Sequence, residues 1–325
     1  MISRVAESCF WLNRYVERIE SLARILYINQ TSALEGATPE ERWKSLVIVT
    51  GEEDLFDRLP APTPEKYGEA VEEFLTWNRD NPSSIYSSLF QARENARTIR
   101  EIISREMWET LNEAWVWINH RDARSLFKRD RYRFYLHLRQ TCTLFHGYSL
   151  NTMLHEASFD FMRLGSMLER AGQTARTLDV KYHVLGRTYA NQESPEEAAQ
   201  WLAILYSCSG VEPFFKRENS MLSGPAVAQF LIFDRKFPRS VLHCLERSRN
   251  FLTLVRKGAQ PGVGKNSEKA MDKLLESVVA LDMETVMKQG LHDMLTRVID
   301  ETTEICSIVY EDYFNPTRGH SLKAG

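Results

Sequence analysis

Leu12-Asn13-Arg14-Tyr15-Val16-Glu17-Arg18-Ile19-Glu20-Ser21-Leu22-Ala23-Arg24-Ile25-Leu26 decides the fold, because a related stretch follows 152 residues later as Leu164-Gly165-Ser166-Met167-Leu168-Glu169-Arg170-Ala171-Gly172-Gln173-Thr174-Ala175-Arg176-Thr177-Leu178. Six of the fifteen aligned positions are identical: Leu12/Leu164, Glu17/Glu169, Arg18/Arg170, Ala23/Ala175, Arg24/Arg176 and Leu26/Leu178. The dipeptide alone says little, since Glu41-Arg42 and Glu246-Arg247 also occur without an Arg six residues after their own. The combination of Glu, Arg and a second Arg at fixed spacing reads as an internal duplication. In the first copy Val5, Cys9, Leu12, Val16, Ile19, Ala23 and Leu26 recur every three or four residues, which is the stripe of a long helix and not the alternation of a strand.

The same spacing predicts helices over about 40–59, 64–79, 82–118, 122–146, 151–184, 195–209, 225–234, 238–257 and 266–313, and no sheet-forming run stands out. Thr38-Pro39-Glu40-Glu41 and Ser194-Pro195-Glu196-Glu197 read as an N-cap, a proline in the first turn and a carboxylate that returns a hydrogen bond. Asn81-Pro82 is read as a third helix start. Gly147-Tyr148-Ser149 reads as an interruption near the midpoint, and Lys257 to Ser267, with three glycines and a proline, as a flexible connection. The expected architecture is an all-α multi-helix bundle, a single domain over 1–316 built from related halves (about 1–147 and 148–316), each opening with a long Glu-Arg helix. A frayed tail, 317–325, is expected to follow.

Composition limits the function classes. The chain of 325 residues holds 41 Lys+Arg against 44 Asp+Glu, so no global field draws it to nucleic acid or an anionic membrane. Five widely spaced cysteines, with no Cys-x-x-Cys pair, fit neither a disulfide framework nor a thiolate zinc site. The N-terminus lacks the pattern of a signal peptide, and no apolar run approaches the roughly 20 residues of a membrane span, so a cytoplasmic protein is expected.

At 100° per residue Glu17 and Arg24 lie about 20° apart on the helix, with Arg14, Arg18, Glu20 and Ser21 on the same arc. One reading is a solvated face with a Glu20–Arg24 pair worth a few tenths of a kcal/mol. The other is a buried polar network where the halves meet. It is favoured by Phe10 and Ile25 within the charged arc and by Gly172 in place of Glu20, so that only Glu, Arg and Arg recur.

The opening Ser3-Arg4-Val5-Ala6-Glu7-Ser8, then Phe10-Trp11-Leu12 and Arg14-Tyr15-Val16-Glu17-Arg18 through Ala23-Arg24, resembles the N-terminal signature of the bacterial alpha-E family, named for an α-helical domain with a Glu-Arg motif. Phe161-Met162-Arg163-Leu164-Gly165, Leu168-Glu169-Arg170-Ala171, Gln173-Thr174-Ala175-Arg176, Leu178-Asp179-Val180-Lys181-Tyr182-His183 and Phe237-Pro238-Arg239-Ser240-Val241 with Cys244-Leu245 are similar to further segments of that family. The resemblance implies company more than chemistry. Alpha-E genes typically stand beside a circularly permuted ATP-grasp ligase and a transglutaminase-like cysteine peptidase, and the domain is at times fused to the ligase. A role in making or trimming a peptide-like product follows, with the ligase and the peptidase as partners and possible contact with the peptide. No catalytic residue is carried over by the resemblance.

Other chemistry is weak. Gly262-Val263-Gly264-Lys265 suggests a phosphate loop, but Ala259 and Asn266 stand where Gly and Ser/Thr belong, and a mobile loop is the better reading. No Glu-x-x-His occurs among the eight histidines. Asp179 and His183, one turn apart, suit a structural hydrogen bond better than a metal, and no cofactor is expected. Cys208, between Ser207 and Ser209, and Cys142 and Cys244, near His146 and His243, lack a glycine-rich oxyanion loop. Arg121, Arg124, Lys128, Arg129, Arg131 and Arg133, continuing to Arg139, are interleaved with Phe127, Tyr132, Phe134 and Tyr135. They form a candidate surface for an acidic partner and, less well, for nucleic acid.

The sequence therefore favours a non-catalytic helical partner of the ligase and peptidase. An enzyme with Glu17, Arg18, Glu169 and Arg170 lining a polar cleft is the alternative, and a binder acting through Arg121–Arg139 a second one. A filled interface at the motifs would favour the first, and a deep pocket holding both Glu-Arg pairs the enzyme.

Overall fold

The computed structural model describes residues 3–31, 39–185, 195–217 and 222–315. The chain is all-α, and no strand occurs among the described residues. The first eight helices are α1 (Ser3–Thr31), α2 (Pro39–Thr50), α3 (Glu53–Phe56), α4 (Tyr67–Trp77), α5 (Ile85–Thr98), α6 (Arg105–Ile118), α7 (Arg121–Arg129) and α8 (Arg131–Thr152). The next eight are α9 (Ala157–Leu185), α10 (Pro195–Ser207), α11 (Val211–Arg217), α12 (Gly224–Phe233), α13 (Val241–Lys257), α14 (Lys265–Val279), α15 (Met283–Gln289) and α16 (Leu291–Val309), closed by a π-helical turn over Tyr310–Phe314.

The two motif helices, α1 and α9, form the centre. Between Ser3 and Gln30 only Arg4 and Gln30 are exposed, and nothing between Ala157 and Asp179 is. Helix α1 packs on α5, α8 and α9, while α9 packs on α1, α13 and α16. Phe10 meets Gly165, Arg14 meets Glu169 and Glu17 meets Arg170, so the partner's number rises along both chains and the helices run side by side in the same direction. Equivalent contacts recur around them. Trp43 of α2 covers Gly68 of α4, and Trp201 of α10 covers Gly224 of α12, so closely that a Cβ at either glycine would enter the indole. Ser84 and Ser240 cap α5 and α13, accepting from the amides of Ser87 and His243.

Several boundaries differ from the periodicity. The stretch 82–118 is two helices, since Ser104 accepts from Met107 N and starts α6. Ile99, Ile103 and Met107, all buried, keep the helical spacing across the break and hide it. The helix after Asn81-Pro82 begins only at Ile85, because Ser84 is its cap. Asp130 caps α8 and separates it from α7. Asp282 and Gly290, at φ 110°, divide 266–313 into α14, α15 and α16. Pro39 and Pro195 open α2 and α10 as expected, whereas the caps assigned to Thr38 and Ser194 lie outside the described residues, as does the tail after Asn315.

Gly147-Tyr148-Ser149 does not interrupt anything. Helix α8 runs through it to Thr152, because one helical glycine costs only about 1 kcal/mol, and the break falls at Met153–Glu156. The connection before α14 is likewise tied down. Val263 is buried, Gly264 lies against the Tyr313 hydroxyl, and Asp312 accepts from Ser267 N and Oγ and from Asn266 Nδ2 at 2.7–2.9 Å.

At Gly165 a Cβ would overlap the Phe10 carbonyl oxygen, so Gly165→Ala must push α1 and α9 apart and is expected to cost about 1–3 kcal/mol. At Gly147 a Cβ meets nothing within 4 Å, and Gly147→Ala is expected to stabilise by about 0.5–1 kcal/mol. Denaturant midpoints of the two variants check the contrast, and equal effects would contradict the seam.

Candidate functional site: the crossed Glu-Arg clusters

Each motif carboxylate is held by the other copy's arginine. Arg170 grips Glu17 with Nε on Oε1 at 2.8 Å and Nη2 on Oε2 at 2.6 Å. Arg18 grips Glu169 with Nε on Oε1 at 2.7 Å and Nη2 on Oε2 at 3.1 Å. The guanidinium fork matches the two carboxylate oxygens, which makes these the strong, oriented kind of ion pair. Glu17 and Arg18, adjacent on α1, both reach α9, and so the two pairs share one seam.

Around this crossed core the two clusters differ. Glu17, fully buried, also accepts from Arg239 Nη1 at 3.0 Å and Ser166 Oγ at 3.3 Å. Arg239 continues to Glu20 at 2.6 Å, Glu20 pairs with Arg24, and Arg24 reaches the Ser209 hydroxyl, which is presented from a left-handed backbone at φ 51°. Glu169 instead accepts from Arg14, Nε at 3.0 Å and Nη2 at 2.8 Å, and from Gln173 at 3.1 Å. The Arg14 guanidinium also lies 4.6 Å from the centre of the Trp11 ring.

Burial alone would raise both carboxyl groups, but Arg170 and Arg239 at Glu17, and Arg18 and Arg14 at Glu169, hold them far below the usual carboxylate range. Burial, then Arg239 nearby, draws the Arg24 guanidinium down to about 10, so it stays charged at neutral pH. His146 is kept neutral by burial; its Nε2 is 3.5 Å from Glu17 Oε2, and neither ring nitrogen makes a hydrogen bond. Ligand atoms of Glu17, Glu20 and His146 lie within 4.8 Å of one another, the spacing of a metal cage. Arg24, Arg170 and Arg239 already occupy the carboxylates, so the donor set suits guanidinium and not a metal ion.

The Glu169 cluster borders a polar cavity of about 70 Å³, lined by Arg14, Arg18, Glu169, Gly172, Arg176 and Ser83 among others. Glu17 and Arg170 are not part of it. Asp179 is buried and its carboxylate meets His292 Nδ1 of α16 at 2.7 Å. His183 has no described side chain.

The other candidates lose their chemistry. All five cysteines are buried, and burial pushes Cys9 and Cys244 up to about 12 and Cys208 up to about 11, which disfavours a thiolate nucleophile. In the basic segment Phe127, Phe134 and Tyr135 are core residues. Arg124 pairs with Glu73 and stacks 3.9 Å over Trp77, and Arg131 pairs with Glu72 and stacks 3.6 Å over Phe127. Arg133 and Arg121 face Asp130 and Asp122. Lys128 and Arg129 alone among the six have no carboxylate partner among the described residues. The phosphate-loop reading fails for a related reason, because Asp312 fills the α14 N-terminus that a phosphate would need. Sequence reasoning set Glu20 aside because it does not recur, and missed Arg239, whose only signal was its place in the third family-like segment.

Arg170→Ala strips Glu17 of its bidentate partner and is expected to cost roughly 3–5 kcal/mol; Arg18→Ala leaves Arg14 on Glu169 and should cost about 1–3 kcal/mol. Wild-type denaturant midpoints for both would refute the buried network. Both glutamates have native pKa values below the ordinary 4.5, so their stabilisation is complete above that value and is lost as pH falls through the native pKa. The melting temperature should therefore drop below about pH 4.5, and less steeply in Glu17→Gln, whose group no longer titrates.

The chain matches, over residues 1–314, the Alpha-E family, described as a predicted alpha-helical domain with a conserved ER motif. It is also similar to the uncharacterized proteins Rv2567 of Mycobacterium tuberculosis and Mb2597 of Mycobacterium bovis, each 25% identical over 270 residues. Each match covers 76% of this chain but only 29% of the relative, so the chain spans under a third of their length. No solved structure matches it. With its motif Glu-Arg pairs crossed at the centre of an all-helical chain, the protein belongs to the Alpha-E family.

Proposed function

We propose that the protein is a non-catalytic helical module that works in the cytoplasm beside an ATP-grasp-type amide ligase and a transglutaminase-like peptidase, holding an enzyme or its peptide-like product. The observation that carries this reading is the mutual neutralisation of the motif. Both glutamates are buried, bidentately held and ionised, so neither offers a proton or a free lone pair for acid–base work. Glu17 is closed in by Arg170, Arg239 and Ser166, and the cavity that borders Glu169 and Arg18 is not lined by Glu17 or Arg170. A module reading also accords with relatives in which the matched part is 29% of a longer chain. No helix among the described residues is long and apolar enough to cross a membrane.

The recurring order of helices, the paired Trp-on-Gly contacts and the crossed motif support an origin by duplication. Duplication joins two units in one chain and buries a face that a single unit would expose.

Affinity purification of the tagged protein from its native host, at low and moderate salt, tests the function. A ligase of ATP-grasp type or a transglutaminase-like peptidase is expected among the retained proteins. Recovery of neither, together with ATP-dependent turnover of peptides by the purified chain alone, would overturn the reading in favour of an enzyme.

A further inference from the structure

The two clusters are related by the 152-residue shift between α1 and α9 and by the matching caps Ser84 of α5 and Ser240 of α13, and the cavity lies where that likeness fails. Gly172 holds the place of Glu20. Ser83, just before the cap Ser84 of α5, holds the place of Arg239, just before the cap Ser240 of α13. Around Glu17, Glu20 and Arg239 pair at 2.6 Å and fill the space. Around Glu169 their counterparts are a hydrogen and a hydroxymethyl, and the cavity of about 70 Å³ opens in that position.

Its lining is cationic. Arg14, Arg18 and Arg176 stand against Glu169, with Asp300 acting on Arg176 from nearby. Arg18 spends Nε and Nη2 on Glu169, and no described residue accepts from its Nη1. The same Arg18 is shared with a larger recess of about 520 Å³, walled by Tyr15, Arg79, Tyr86, Phe90 and Trp115. Phe90 is 41% exposed there, and the Arg79 guanidinium lies 4.8 Å from the Tyr86 ring centre. A polar cavity sized for a small oxyanion thus has Arg18 in common with an open groove with aromatic walls.

We propose that this cavity and groove bind a peptide by its terminal carboxylate, which takes the position that Glu20 occupies in the other cluster, while the preceding side chains lie against Tyr86, Phe90 and Trp115. A carboxylate fits because a guanidinium offers planar paired donors to its two oxygens, and a molecule small at one end and apolar behind it matches a narrow cationic cavity opening on an aromatic groove. The choice of a peptide over another carboxylate rests on the peptide-handling reading above; the site itself does not depend on which enzymes the module serves.

Equilibrium dialysis of the full chain against a pool of acetylated tetrapeptides, randomised at every position and supplied as free acids or as C-terminal amides, tests the proposal with mass-spectrometric readout. Free acids are expected to be retained at least tenfold better than amides. Gly172→Glu carries a tethered carboxylate into the cavity and should abolish retention while the protein stays folded, since a Cβ there meets only Thr302 Oγ1 at an ordinary 3.5 Å. Phe90→Ala, on the exposed wall, should weaken retention about threefold or more without moving the melting temperature. Equal retention of acids and amides, no retention of either, or wild-type retention by a folded Gly172→Glu variant would overturn the site. Inorganic phosphate or acetate binding as tightly as the best peptide, with no effect of Phe90→Ala, would overturn the peptide and leave a simple anion hole. These outcomes are separate from those of the affinity purification, which reads partners and not this cavity.

Discussion

The crossed pairing of Glu17 with Arg170 and Glu169 with Arg18 is the constraint around which the rest of the protein is arranged. Taking a carboxylate and a guanidinium out of water costs several kcal/mol per ion, and only good geometry with every donor used recovers it. Such a seam adds little net stability compared with apolar packing, but it is intolerant of error. A shift of α1 against α9 by one turn would leave two carboxylates and several guanidiniums buried without partners. Apolar packing between helices is far more permissive. The charges therefore set the register, and Gly165 under the Phe10 carbonyl sets how closely the helices approach.

That constraint explains why α1 and α9 lie at the centre while carrying more charge than most buried helices. The surrounding helices shield the pairs from water, and the guanidiniums of Arg170 and Arg239 at Glu17, and of Arg18 and Arg14 at Glu169, keep the two glutamates ionised despite that burial. The shell also keeps out competing chemistry. The cysteines are raised out of the reactive range, the α14 N-terminus is closed by Asp312, and Arg124 of α7 and Arg131 of α8 turn back to Glu73 and Glu72.

Helices were legible in the sequence because their apolar faces keep a strict period, and the motif was legible because it recurs with its spacing intact. What the period could not reveal were breaks across which it persists, as at Ile99, Ile103 and Met107, where one helix ends at Thr98 and Ser104 caps the next without disturbing the buried face. The partners of the motif were only half legible. Arg170 and Arg18 announce each other through the repeat, but Arg239 comes from the turn before α13, 222 positions from Glu17, and Asp179 meets His292 across 113. Long-range ion pairs leave no local pattern. Glu20 failed to recur and so stood outside the motif, although it is buried and tied to Arg24 and Arg239.

The same failure to recur carries the most information about the site. Deleting one member of a buried ion pair strands the other and costs several kcal/mol, whereas removing both together can be nearly neutral. The Glu169 cluster shows the second situation: relative to the Glu17 cluster it lacks a carboxylate at Gly172 and a guanidinium at Ser83 at once. A cavity made by subtracting a matched pair leaves no stranded partner for that pair, so the fold tolerates it, while the charges that belonged to the shared motif remain around the opening. A repeated scaffold can in this way keep one cluster closed to hold its register and open the other to solvent, with Arg18 serving the seam through Nε and Nη2 and facing the cavity with what is left.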